Sequence, residues 1–333
     1  MNKLRTIIFS CIALLFSTSL SANSEQIAQS NGIEICYETF GSQEDPALLL
    51  IIGACSQGVL WPVELCEQFA NLEFYVIRYD HRDIGLSTSF DFEKNPYDVL
   101  DLAKDGVGLL DFLQIDQAHL FGLSMGGPIA ELIAANFPER VLTMSLIATS
   151  PDFRPMNLAL AGLPPEENVL SRPKDNYLES MNLFLGSPPK NEEEKLKQRV
   201  ALWQILNGSI VPLEEKSQRT IHQQFLSRQK NAEGPANHVR CCARSETLIQ
   251  RVPYQVNIPT LVMHGSEDPI FGPDHGFALA NIIPGSKFIF IEGMGHVPNP
   301  HFFDLIVTEV AALAQKELTD QKQIDEASRL KKL

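Results

Sequence analysis

The sequence predicts an α/β protein: a mostly parallel β-sheet with helices on both faces and a helical segment inserted between two parts of the sheet. Three observations predict it. Continuous apolar runs at 47–52, 74–79, 118–123 and 141–148 alternate with helical patterns, and a strand apolar along its whole length is one covered on both faces. The texture then changes over 151–254, where polar helical segments and the proline pairs Pro164-Pro165 and Pro188-Pro189 replace buried-strand runs. Strand texture returns at Thr260-Leu261-Val262-Met263 and again at 287–291. With 333 residues and 44% hydrophobic content, the chain can bury one large core carrying such an insertion, and two unrelated domains are not required.

The elements follow in order. Gly32 to Phe40 alternates polar and apolar residues as an early strand does, and Gly41-Ser42-Gln43-Glu44-Asp45-Pro46 is turn chemistry. Ala47 to Ile52 is a buried strand that ends in the small-residue loop Gly53-Ala54-Cys55-Ser56-Gln57-Gly58. A helix over 62–71 begins with proline, whose missing N–H costs nothing at a first turn. The strand at 74–79 runs into Asp80-His81-Arg82-Asp83-Ile84-Gly85-Leu86-Ser87, and Asn95-Pro96 opens a helical pattern through Leu113. Beyond the strand at 118–123, a helix is expected over 128–136 and a strand over 141–148. In the inserted segment, 190–206 and 213–229 read as helices. A helix near 276–282, the strand at 287–291 and a final helix over 301–318 complete the chain.

The N-terminus has Lys3 and Arg5, an apolar run from about Thr6 to Phe16, and small or polar residues through Ser24. That is the pattern of a cleaved secretory signal, with the cut between Ser19 and Ser24; the run is too short for the about 20 residues that cross a bilayer. An exported protein with no stable membrane insertion, periplasmic or secreted, is therefore expected. The formal charge of −14 disfavours nucleic acid as a partner, because like charge repels a phosphate backbone. Outside the signal, Cys36, Cys55, Cys66, Cys241 and Cys242 are odd in number and lack framework spacing, so no disulfide scaffold is expected. Cys241-Cys242 has no matching pair at ligand spacing, and no metal is expected.

The chemistry centres on Gly122-Leu123-Ser124-Met125-Gly126, which lies between an apolar strand and a helix. A sharp strand-to-helix turn is tolerable only where neighbours lack side chains, and Gly122 and Gly126 give that room. Such a turn exposes the Ser124 hydroxyl, aims the Met125 N–H at the same point and sets the positive end of a helix behind it. The pentapeptide alone arises by chance in roughly one chain of this length in ten, so its partners matter. A serine hydroxyl needs a base, and the base needs a group to hold its tautomer. His296, in the turn Gly293-Met294-Gly295-His296 after the last strand, is the best placed of the eight histidines; His264 suits a structural role. Asp268 follows the preceding strand by a short turn and is favoured as the orienting acid, with Glu267 and Asp152 as rivals. The backbone N–H of Ala54 is the natural second oxyanion donor beside that of Met125. Cys55 reads as a small buried residue, since no cationic neighbour in sequence would activate its thiol.

These motifs, with Arg78-Tyr79-Asp80-His81-Arg82-Asp83-Ile84-Gly85-Leu86-Ser87-Thr88, resemble those of the α/β-hydrolase superfamily, and specifically the branch with the aclacinomycin methylesterases, which cleave a methyl ester from a polyketide. The resemblance covers nearly all of the chain outside the insertion and the export signal. It implies the α/β-hydrolase fold, Ser124, Asp268 and His296 as a triad, and a bracing role for the Asp80–Ser87 turn. Many members carry His-Gly before the oxyanion donor, whereas this chain has Ile52-Gly53. The chain then divides into an export signal (1–22), a first part of the hydrolase core (23–150), a helical cap (151–255), a second part of the core (256–318) and a charged C-terminal tail (319–333). The expected activity is cofactor-free hydrolysis of a small, largely uncharged carboxylic ester through an acyl-enzyme on Ser124. A thioesterase, amidase or perhydrolase using the same triad, or a non-catalytic binding protein on the same fold, are the alternatives. The branch does not carry its substrate with it, because the cap sets specificity and an exported protein does not meet an intracellular polyketide precursor.

Overall fold

The computed structural model describes residues 25–167 and 170–330. The stretch read as an export signal lies outside them. Eight strands form one sheet: β1 (Gln26–Ser30), β2 (Ile33–Phe40), β3 (Ala47–Ile51), β4 (Tyr75–Tyr79), β5 (Ala118–Leu123), β6 (Val141–Ile147), β7 (Thr260–Gly265) and β8 (Lys287–Ile291). Their order is β1-β2-β4-β3-β5-β6-β7-β8; the β1–β2 and β2–β4 pairs are antiparallel and every other pair is parallel.

The apolar runs are continuous because both faces are covered. On β3, Leu49 and Ile51 join a cluster with α2 (Val99–Phe112), α3 (Gly126–Asn136) and α10 (Pro273–Ile282), while Leu48 and Leu50 point the other way into a cluster with α1 (Val63–Ala70) and α11 (Phe303–Leu330). At about 25 cal/mol per Å² of apolar surface removed from water, these two layers are the main favourable contribution to folding. Between β6 and β7 the chain makes α4 (Arg154–Leu160), α5 (Asp175–Gly186), α6 (Glu192–Asn207), α7 (Glu215–Arg228), α8 (Gly234–Arg244) and α9 (Glu246–Arg251), with no strand among the described residues.

Several elements differ from expectation. β1 reads Gln26-Ile27-Ala28-Gln29-Ser30, has little apolar signal, and forms because β2 offers it an edge; only Ala28 and Ser30 are buried. α2 begins at Val99, not at Asn95-Pro96. The Asp98 side chain accepts from the amides of Leu100 and Asp101, and Asp101 answers the Asp98 N–H, a reciprocal cap that fixes the start. α3 begins at Gly126, two residues early, because the turn at Ser124 leads straight into it. The last helix continues past Leu318 to Leu330, through most of the charged tail, which the sequence reads as a solvated or frayed helix.

Candidate active site

Ser124 follows β5, in the middle of the sheet, where Ile51 pairs with Gly122 on one side and Leu123 with Ile147 on the other. Its φ is +55°, a left-handed conformation that costs a non-glycine residue of order 1–3 kcal/mol and persists only when the surroundings over-determine it. They do. The Ser124 N–H donates to the Ile147 carbonyl at 3.1 Å, and its own carbonyl accepts from the Gly127 N–H at 2.8 Å and the Thr149 hydroxyl at 2.7 Å. A Cβ on Gly122 would strike the Gly126 carbonyl, and one on Gly126 would strike the Ile51 carbonyl, so the turn closes only with glycine at both places. Gly53 is less crowded but still tight, since a Cβ there would sit 3.1 Å from the Ser124 Cβ. Glycine at 53 thus keeps the β3 loop against the serine although the preceding residue is Ile52.

His296 and Asp268 meet beyond the ends of β8 and β7. Asp268 Oδ2 lies 2.9 Å from His296 Nδ1, and Asp268 Oδ1 accepts from the amides of Ile270 at 2.8 Å and Phe271 at 3.0 Å. Asp268 is fully buried, and burial by itself would raise its pKa; the His296 imidazole and these amides outweigh that and hold the carboxyl below its usual range. The rivals are engaged elsewhere: Asp152 pairs with Arg154 at 2.7 Å, and Glu267 accepts from the Ser209 hydroxyl at 3.0 Å. His264 points its Nε2 at the Phe271 carbonyl, 2.9 Å away, as a structural histidine would.

Ser124, His296, Ala54 and Met125 all line one cavity of about 220 Å³. The backbone N–H groups of Ala54 and Met125 donate to no acceptor among the described residues, so both are free to hold an oxyanion. Cys55 lines the same cavity with its thiol turned to the Pro235 carbonyl, and burial pushes its pKa up to about 11, which disfavours the thiolate that a nucleophile needs.

Nothing in the residue pattern signals how much the β6–β7 segment supports this site. His238 on α8 accepts from the Cys55 N–H with Nδ1 at 3.1 Å and faces the Arg82 carbonyl with Nε2 at 2.9 Å. Only a neutral ring with its proton on Nε2 makes both bonds, and burial pulls its pKa down to about 4. The Asp80–Ser87 turn braces the other side, as its motif implies. Asp80 accepts from the Gly58 N–H at 2.8 Å and pairs with Arg228 of α7 at 2.9 Å; Asp83 accepts from Tyr97, Asn231 and Asn237. The backbone N–H of His296 donates to the Leu206 carbonyl, at the end of α6, at 2.6 Å. Among the described residues no group of three or more His, Cys, Asp or Glu side chains could hold a metal ion.

A model of the alpha/beta hydrolase fold matches residues 46–300. The chain belongs to the alpha/beta hydrolase family, and its relatives make it a hydrolase of the esterase kind. It is similar to the rhodomycin D methylesterases DauP of Streptomyces sp. (strain C5), 34% identical over 274 residues, and DnrP of Streptomyces peucetius, 34% identical over 267 residues. Each match covers 78% of this chain and 87% of the relative. Among solved structures, the meta-cleavage product hydrolase CumD of Pseudomonas fluorescens IP01 superposes with a TM-score of 0.64 at 17% identity, over 87% of this chain and 97% of that one, which is a likeness of fold.

Proposed function

We propose that this protein hydrolyses a small carboxylic ester through an acyl-enzyme on Ser124. The observation that carries the reading is the 2.9 Å Asp268–His296 contact beside a cavity that Ser124, His296 and two unengaged amides share. In this mechanism His296 takes the Ser124 proton through Nε2 as the hydroxyl attacks the ester carbonyl. Asp268, on Nδ1, holds the tautomer that leaves Nε2 free and stabilises the imidazolium that forms. The negative charge on the tetrahedral oxygen falls to the Ala54 and Met125 amides, each such donor being worth about 10²–10³ in rate, and the α3 N-terminus adds its positive field. His296 then returns the proton to the leaving alcohol. Water, deprotonated by the same imidazole, releases the acid.

The helices between β6 and β7 act as the cap that shapes the cavity, a role supported by the lining residues that α4, α5, α6 and α8 contribute. Export to the periplasm or the medium rests on the N-terminal residue pattern. The five cysteines at 36, 55, 66, 241 and 242 are unpaired, and no helix among the described residues is long and apolar enough to cross a membrane. The test is Ser124→Ala with 4-nitrophenyl acetate and butyrate, alongside fluorophosphonate labelling of the parent. Loss of turnover by at least about 10³-fold is expected. Turnover within tenfold of the parent removes Ser124 from the mechanism.

A further inference from the structure

α6 turns one face to the cavity, at Arg199, Leu202, Trp203 and Leu206, the i, i+3, i+4, i+7 stripe of a helix. Three of the four are apolar, as are most of the other cavity walls, and Arg199 breaks the stripe. Arg199 makes no ion pair and no hydrogen bond among the described residues, and its Nε is buried without a partner. Its guanidinium lies over the ring of Phe225, 3.5 Å from the centroid, which fixes one face of the plane and leaves the charge uncompensated. The cavity lining holds no Asp, Glu or Lys, so among the described residues Arg199 is its one fixed charge. Burial pulls the Arg199 pKa down to about 10, and it remains cationic at neutral pH.

A guanidinium placed this way costs stability relative to a leucine or methionine of similar volume, because its desolvation is not offset by a carboxylate of the protein. The setting adds to the point. The chain carries a net charge of −14, and the arginines buried among the described residues are all paired: Arg78 with Glu38, Arg82 with Asp105 and Arg228 with Asp80. A lone cation facing the cavity of an anionic protein matches an anion that arrives with the ligand. The Tyr177 hydroxyl, on the same cavity, also makes no hydrogen bond among the described residues and is a second available donor.

We infer that the ester taken by this cavity carries a free carboxylate, which pairs with Arg199 while Ser124 attacks the ester carbonyl. This replaces the sequence expectation of a largely uncharged ester, and it rests on the hydrolase reading above. The carboxylate belongs either to the acyl part, as in a half-ester of a dicarboxylic acid, or to the alcohol part.

The experiment compares esters that differ only in whether that carboxylate is capped. The acyl arm uses 4-nitrophenyl hydrogen succinate, glutarate and adipate against their methyl-capped forms. The alcohol arm uses 4-acetoxybenzoate against methyl 4-acetoxybenzoate. Each is measured with the parent, Arg199→Met and Arg199→Lys. The quantity read is the ratio of kcat/KM for the free over the capped ester within one protein, which cancels differences in active fraction. In at least one arm the parent ratio is expected to fall by about tenfold or more in Arg199→Met, carried by KM, with Arg199→Lys in between. Ratios in both arms that agree within twofold between parent and Arg199→Met overturn the inference. Fluorophosphonate labelling at Ser124 in the same preparations separates the failures: labelled protein with unchanged ratios refutes the Arg199 pairing alone, and unlabelled protein refutes the hydrolase reading as well.

Discussion

The backbone amide of His296 donates to the carbonyl of Leu206 at 2.6 Å, so the loop carrying the proposed base hangs from the last turn of a helix that also walls the cavity. Gly295 permits the approach, since a Cβ there would collide with the Leu206 and Asn207 carbonyls. Asn207 continues the contact through Asn299, whose side-chain amide donates to its Oδ1 at 2.8 Å. Gly295→Ala is expected to push the loop away and lower kcat by about 10²-fold, the usual effect of displacing a catalytic group by about 1 Å. The far-ultraviolet circular dichroism should be unchanged. Parent-like kcat in the folded variant would show that the loop has slack.

Asp268→Asn tests the orienting acid. An asparagine amide can donate to His296 Nδ1, which would place the ring proton on Nε2, facing the serine in the wrong tautomer. The expected loss in kcat is about 10³–10⁴-fold with little change in KM, read with 4-nitrophenyl butyrate. A loss below tenfold would hand the role to another carboxylate.

Glu131 gives a pH prediction independent of catalysis. It sits on α3, fully buried, with both carboxylate oxygens unpartnered, and burial pushes its pKa up to about 8 from an ordinary value of 4.5. The folded protein therefore binds a proton that the unfolded chain has already released between those limits. The contribution of Glu131 to stability is expected to fall as pH rises from about 4.5 to about 8, by an amount of order 3–5 kcal/mol, and to level off above, against the opposite slope that the buried, neutral His81, His119, His222 and His238 add below about pH 6.5. Glu131→Gln should remove that contribution, so that the stability difference between variant and parent grows in the variant's favour from pH 5 to pH 8, as urea unfolding of both proteins at the two pH values would show. Parallel stability profiles for the two proteins would contradict the buried, protonated carboxyl.

Cys55 tests the cavity's other candidate nucleophile. With its thiol raised to about 11 by burial, Cys55→Ala should keep ester turnover within about threefold of the parent, and iodoacetamide at pH 7.5 should inactivate the parent slowly or not at all. Rapid inactivation that tracks alkylation of Cys55 would reopen thiol chemistry at this site.

The core of the fold was legible because its signals are local. Ala47–Ile51, Tyr75–Tyr79 and Thr260–Gly265 are buried at every position, and a strand with two covered faces announces itself in composition. The serine turn was legible for the same reason, since its glycines answer steric demands within a few residues of Ser124. What the sequence withheld depends on partners distant in the chain. β1 has no apolar run and is stabilised by pairing with β2. α4, α5, α8 and α9 are short or start amid prolines and glycines, and their apolar residues find cover in the cavity wall and core. His238 and Arg199 have ordinary neighbours in sequence. Only the spacing of Arg199, Leu202, Trp203 and Leu206 could have flagged the latter, and the charged residues early in α6 dilute it.

The tie between Asp80 and Arg228, the ring of His238 against Cys55 and the thread from Leu206 to His296 act together as three rivets between the helices inserted after β6 and the proposed machinery. Replacing those helices by grafting would therefore disturb the loops that carry Cys55 and His296 as well as the cavity wall. A transplanted segment that matched the walls and neglected the rivets would bind a new molecule and leave it intact.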